Sequence, residues 1–221
     1  MHSCSDWRLY VIVDRAAVGP RGLEEVAAAA IRGGADVLQL RDKAASARRL
    51  LDAARALLAL TRPAGIPLII NDRPDVAASA GADGVHLGQD DLPLPEARRL
   101  LGPDRLIGQS THSLEQAVAA EAAGADYIGL GPIFPTPTKP EYGSIGTALI
   151  SAVASRVRVP VVCIGGIDAS TLPQVLKAGA KRVAVVRAVC AVADPAAAAR
   201  GLKALLARRA RAIYNEGSAR V

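Results

Sequence analysis

Apolar residues along this chain gather in short, nearly continuous runs rather than in strict alternation: LYVIVD, VLQL, PLII, GVHL, LIG, YIGL, VVCI and VAVV. Runs rich in Val and Ile and bounded by turn residues predict strands buried on both faces, as in a parallel sheet covered by helices. The predicted strands are 8–14, 37–41, 68–71, 84–87, 106–109, 127–130, 159–164 and 183–186. Ala-rich stretches between them carry helix signals. One helix is expected over 22–31, and another runs from Ser46, a serine N-cap, to Thr61, where Pro63 and Gly65 stop it. Pro74 suits the first turn of a short helix over 73–80, and a further helix opens near Pro95. Just past His112, Ser113 with Gln116 three residues on matches a capping box. Ser170, Thr171 and Gln174 mark another helix start, and the last helix is expected over 194–213. Four turns of one form, Gly34-Ala35-Asp36, Gly81-Ala82-Asp83, Gly124-Ala125-Asp126 and Gly179-Ala180-Lys181, lead straight into strands.

Strands alternating with helices, with no break in composition, predict an α/β fold, the parallel eight-stranded (β/α)8 TIM barrel. The expectation is a single domain over 1–221, with the barrel at about 8–213 and a flexible tail over 214–221. In that fold the strand C-termini form one rim where chemistry collects.

Bulk properties narrow the partners. No apolar run approaches the roughly 18 residues of a membrane span, and the first residues lack a basic-then-apolar leader, so the expected address is the cytoplasm. Cys4, Cys163 and Cys190 have no CxxC spacing, and the last two sit inside apolar runs, which predicts reduced, buried thiols. The net charge of +6 would suit nucleic acid, but single-strand binders need aromatic platforms and only 3% of the residues are aromatic. Nucleic acid and membrane are therefore not expected partners. The same basic excess suits small phosphorylated substrates. Association with further copies of the chain stays open.

The rim motifs point to phosphate and metal chemistry. Gln39, Arg41 and Lys43 recur at every second position, so in an extended segment they share a side. They read as a cationic wall for phosphoryl oxygens, or alternatively as surface salt-bridge partners. Asn71-Asp72 ends the third strand and Asp91 follows the fourth, so carboxylates from adjacent strands can converge on Mg2+, whose usual site is one or two carboxylates plus substrate phosphate. The competing structural roles are a helix cap for Asp72 and a turn for Asp91. Gly165-Gly166 before a helix start reads as a phosphate turn. Thr136, Thr138 and Lys139 sit between prolines in a long loop after strand six, a composition that predicts ligand contact. His86 reads as an interior barrel residue, and His112 as a rim residue.

These residues resemble a known family. Gln39-Leu-Arg41-Asp-Lys43, Asn71-Asp72, His86-Leu-Gly-Gln89-Asp-Asp91, Ser110-Thr-His112, the stretch from Gly131 through Thr136 and Thr138 to Lys139, and Ile164-Gly-Gly166 look like thiamine-phosphate synthase, also called thiamine-phosphate pyrophosphorylase. The resemblance runs in order from the first strand to the eighth. It implies a Mg2+-dependent transferase that joins hydroxymethylpyrimidine diphosphate to a thiazole phosphate and releases diphosphate. It implies Gln39, Arg41, Lys43, Asn71, Ser110 and Lys139 around the pyrimidine diphosphate, with Arg41, Lys43, Ser110 and Lys139 acting in catalysis. Asp72 and Asp91 would hold the metal, and Thr136, Thr138, Gly166, Val186 and the next residue, Arg187, would enclose the thiazole phosphate. At Arg187 the chain departs from the family pattern, which usually has a small residue there. Two rival readings are a thiazole tautomerase of the same fold, using His112, and a non-catalytic thiamine-phosphate-binding regulator. The first tends to lose the wall and the metal carboxylates, and the second has no need of the carboxylates.

Overall fold

Eight parallel strands close on themselves in sequence order: β1 (Leu9–Asp14), β2 (Val37–Arg41), β3 (Leu68–Asn71), β4 (Gly84–Leu87), β5 (Leu106–Thr111), β6 (Tyr127–Leu130), β7 (Val161–Ile164) and β8 (Val183–Val185), with β8 pairing back onto β1. Around them run α1 (Leu23–Arg32), α2 (Ala47–Thr61), α3 (Pro74–Ala80), α4 (Leu94–Leu101), α5 (Leu114–Ala122), α6 (Ala148–Arg156), α7 (Leu172–Lys177), α8 (Arg187–Cys190) and α9 (Pro195–Ser218). The structure is a computed structural model and describes residues 4–137 and 143–218, with side chains in the last helix described as far as Arg208.

Successive strand residues face opposite sides, so each apolar run divides between two cores. Leu9, Val11, Val13, Leu38, Leu40, Val85 and Ile107 pack outward in the cluster that also holds the helices. Tyr10, Ile12, Val37, Ile69, Tyr127, Val162 and Ala184 fill the barrel together with Cys4 and Trp7. Three aromatic rings occupy that interior: Trp7 meets Tyr10 edge-on at 5.8 Å and Tyr127 at 5.1 Å between centroids. Gly108 makes room for them, since a Cβ there would lie 2.1 Å from the Tyr127 ring.

The four recurring turns are helix stops of one design. Their glycines all have positive φ, and the amide after each bonds five residues back: Ala35 to Ala30, Ala82 to Ala77, Ala125 to Ala120 and Ala180 to Val175. With the glycine N–H bonding three residues back, this is the Schellman arrangement at the ends of α1, α3, α5 and α7. The aspartate then clamps the neighbouring strand. Asp36 donates its N–H to Leu9 O and accepts Leu9 N–H at Oδ2; Asp83 does the same with Leu68, and Asp126 with Ile107. Lys181 in the fourth turn has no carboxylate to offer.

Most predicted bounds hold within two residues, and the differences have local reasons. Strand β5 continues through Thr111, so Ser110 and Thr111 lie on the strand rather than after it. Strand β7 starts at Val161, after Pro160, because Pro160 contributes a carbonyl to the ladder but has no N–H to give. The helix expected over 194–213 runs to Ser218, so the first part of the segment expected to be a flexible tail, Tyr214–Ser218, is helical. Helices α6 and α8 were not anticipated, the first hidden behind a proline-broken loop and the second only four residues long. Ser46 and Ser113 cap α2 and α5 as expected, but Gln116 Oε1 accepts from His112 N–H rather than completing the box on Ser113.

Candidate functional site

Every predicted site residue within the described segments lines one of two adjoining cavities at the C-terminal rim. The larger, about 850 Å³, is lined by Gln39, Arg41, Asn71, Ser110, Thr136, Gly166, Val186 and Arg187 among others. The smaller, about 110 Å³, is lined by Arg41, Lys43, Asn71, Asp72, Asp91 and Ser110. Arg41, Asn71 and Ser110 belong to both, so the two spaces are one site with an acidic annex. Thr138 and Lys139 lie outside the described residues.

The annex brings the two carboxylates together. Asp72 sits directly after β3 with φ of 62°, a left-handed conformation that aspartate tolerates better than most residues, and its N–H is held by His86 O at 2.8 Å. It does not cap α3: the cap position is Arg73, which makes no side-chain cap bond. Asp91 Oδ2 accepts Gly88 N–H at 2.6 Å and so does hold the turn after β4. Burial pushes the Asp91 carboxyl above its ordinary value, with the neighbouring Asp72 adding to the rise and Gly88 N–H and Lys43 opposing it. Lys43 Nζ is 3.4 Å from Asp72 Oδ2. Two converging carboxylates beside one exposed lysine fit a small hard cation. Among the described residues no group of three or more His, Cys, Asp or Glu gathers, so most of the coordination would fall to water and substrate oxygens, as Mg2+ commonly requires.

The expected cationic wall is more nearly neutral than its sequence implied. Arg41 forms an ion pair with Asp14 at the end of β1, and the two side chains are only 13% and 4% exposed. A pair this buried fixes the guanidinium and matches its charge. Gln39 turns into the barrel, 2% exposed, and donates to Tyr10 Oη at 2.8 Å. Lys43 lies beyond the end of β2 and its side chain is 59% exposed, so its pair with Asp72 is weak and leaves it accessible to phosphoryl oxygens.

Beyond β7, Gly165 and Gly166 have φ of 97° and 63°, and a Cβ on either would collide with Pro132 or Phe134. Glycine is required twice over there, by backbone conformation and by the close approach of the loop after β6. Ile133 N–H to Ile164 O at 2.8 Å and Phe134 N–H to Gly165 O at 3.1 Å bind that loop to the turn. The helix-terminus part of the phosphate expectation needs correction: the Asp168 carboxylate already accepts the Ser170 and Thr171 amides ahead of α7. A phosphate there would find the glycine turn but not these two amides. Arg187 opens α8 and is exposed; its carbonyl accepts the Ala191 N–H, and its side chain makes no hydrogen bond or ion pair among the described residues.

Sequence reasoning missed the polar interior beneath the site. His86 Nδ1 lies 3.1 Å from Tyr127 Oη and Nε2 lies 3.0 Å from Ser110 Oγ, while Tyr10 and Tyr127 share a 3.1 Å hydroxyl contact. Inside apolar runs the tyrosines read as bulk, and only the inward register of His86 hinted at more. Burial raises both phenols well above their usual range, so they stay protonated. His112 is committed differently: its Nδ1–H donates to Gly131 O on the adjacent strand end.

Comparison with known proteins decides the family. A family model described as thiamine monophosphate synthase matches residues 9–189. The chain belongs to the thiamine-phosphate synthase family. Its relatives include the thiamine-phosphate synthases of Roseiflexus sp. (strain RS-1), 50% identical over 90% of this chain and 85% of theirs, and of Chloroflexus aurantiacus, 50% identical over 91% and 93%. A solved thiamine phosphate pyrophosphorylase from Pyrococcus furiosus superposes with a TM-score of 0.85 at 37% identity, covering 92% of this chain and 96% of that one. The family is one of transferases, and the chain is an enzyme of that class. No helix among the described residues is long and apolar enough to cross a membrane.

Proposed function

We propose that the chain transfers the hydroxymethylpyrimidine group from its diphosphate to a thiazole phosphate, forming thiamine phosphate and releasing diphosphate, with Mg2+ held by Asp72 and Asp91. The observation that carries this reading is the meeting of those two carboxylates beside Lys43, in an annex opening onto a cavity large enough for two small substrates. A bound Mg2+ supplies charge neutralisation for the departing diphosphate. Lys43 and Lys139 would add positive charge, and Arg41, fixed by Asp14, adds a rigid donor fork. Departure of diphosphate leaves a pyrimidinylmethyl cation, a dissociative step that needs preorganised charge more than a strong base. Asn71 and Ser110 line both cavities and would border the pyrimidine diphosphate, with Gln39 in the wall of the larger one. Thr136, Thr138, Gly166, Val186 and Arg187 would enclose the thiazole phosphate. The tautomerase reading leaves Lys43 and the paired carboxylates Asp72 and Asp91 without a role, whereas the synthase reading uses all three.

The test is diphosphate release measured with both substrates and with each omitted in turn, before and after chelation and Mg2+ re-addition. Release only with both substrates and Mg2+ is expected; release without the thiazole phosphate, or full activity in chelator, contradicts the reading.

A further inference from the structure

Five side chains from five different strands form one hydrogen-bonded line across the barrel under the site: Gln39, Tyr10, Tyr127, His86 and Ser110. Its two ends, Gln39 and Ser110, line the larger cavity, while Tyr10 and Tyr127 do not. The line has a direction. Gln39 contributes its amide nitrogen, which donates and does not accept, so the Tyr10 proton cannot return along that contact. It goes to Tyr127 at 3.1 Å, and the Tyr127 proton then goes to His86 Nδ1 at 3.1 Å. With Nδ1 an acceptor, the neutral ring carries its proton on Nε2 and donates it to Ser110 Oγ at 3.0 Å. Ser110 is left with its own hydroxyl proton for the cavity. At the other end the Gln39 carbonyl oxygen, an acceptor only, has no partner among the described residues.

We infer that Tyr10 and Tyr127 are positioning residues that fix the proton order of this line, holding His86 as the Nε2–H tautomer and making Ser110 a donor and Gln39 an acceptor toward the substrate. The two tyrosines, fully buried and protonated, cannot exchange roles with solvent. A heteroaromatic ring with an acceptor nitrogen toward Ser110 and a donor group toward Gln39 fits this polarity, and one with the roles exchanged meets two unpaired groups. Identifying that ring with the pyrimidine rests on the proposed function. The proton order does not.

The chain has three histidines, so the ring nitrogens of His86 can be assigned by 15N NMR against a His86→Asn variant. The unmodified protein without substrates should show a single Nε2–H tautomer; Nδ1–H overturns the inference. Tyr127→Phe keeps the ring in its seat against Gly108 and removes one hydroxyl, so the His86 signal should change to a mixture of tautomers. KM for the pyrimidine diphosphate should then rise about tenfold, the worth of one misplaced hydrogen bond, with KM for the thiazole phosphate unchanged. A His86 signal identical to wild type, or an equal rise in both KM values, overturns the positioning role. If Tyr127→Phe does not fold, Tyr10→Phe carries the same comparison from one link further away, with a change in the His86 signal expected and an unchanged signal counting against the role. Absence of turnover in the unmodified protein would sink the catalytic reading alone, because the tautomer is read without substrate.

Discussion

The two ends of the barrel use the same residue, aspartate, for opposite purposes. At the N-terminal end Asp36, Asp83 and Asp126 each accept a strand N–H, and Asp36 and Asp126 also pair with Lys203 and Arg98. There the carboxylates satisfy backbone groups that would otherwise be unpaired, which is a stability role. At the C-terminal end Asp72 and Asp91 crowd each other, one in a left-handed backbone conformation and the other with its carboxyl raised by burial. Like-charge crowding of this kind is what the proposed metal would relieve. The contrast separates aspartates that hold the barrel from the two proposed to hold the metal.

Four substitutions bear on that contrast, from the largest effect to the smallest. Asp72→Asn should lower kcat by about 100-fold or more, as expected on losing one electrostatic stabiliser, while Tm stays near wild type because asparagine also accepts the left-handed conformation. Near-normal turnover would remove the division between the ends. Gly108→Ala forces a methyl into the Tyr127 ring and should cost about 1–3 kcal/mol by overpacking. Chemical denaturation measures that loss, and an unchanged midpoint would show the ring free to move. Asp126→Ala removes bonds to Ile107 N–H and Arg98 and should cost about 2 kcal/mol, a Tm drop of roughly 4–8 °C, with kcat unchanged. A fall in kcat instead would make the lower aspartates part of the working site. Arg187→Ser should raise KM for thiazole phosphate only about threefold, the effect of an exposed cation, and sharpens the comparison by showing how little a loose rim charge contributes.

Legibility followed the physics of each region. The strands could be read because each run is apolar on both sides of the backbone, and the predicted cluster at the rim followed from strand ends sharing a face. The recurring Gly-Ala-Asp turns were visible as a pattern, but their meaning was not: the clamp joins Asp36 to Leu9, and no local signal names that partner. Asp14 shows the same limit in the site, being one more residue at a strand end until the pairing of β1 with β2 sets it against Arg41.

What the chain alone determined was local and periodic: the eight strand segments, the helix caps at Ser46 and Ser113, the residue types carried to the rim, and a motif set specific enough to indicate its family. What the tertiary structure decided was pairing across the barrel. Which carboxylate neutralises Arg41, and how Gln39 reaches Ser110 through two tyrosines and a histidine, both depend on side chains that separate strands bring together. Side-chain chemistry is written residue by residue, but electrostatic balance and hydrogen-bond direction belong to neighbours, and closure of the sheet chooses the neighbours.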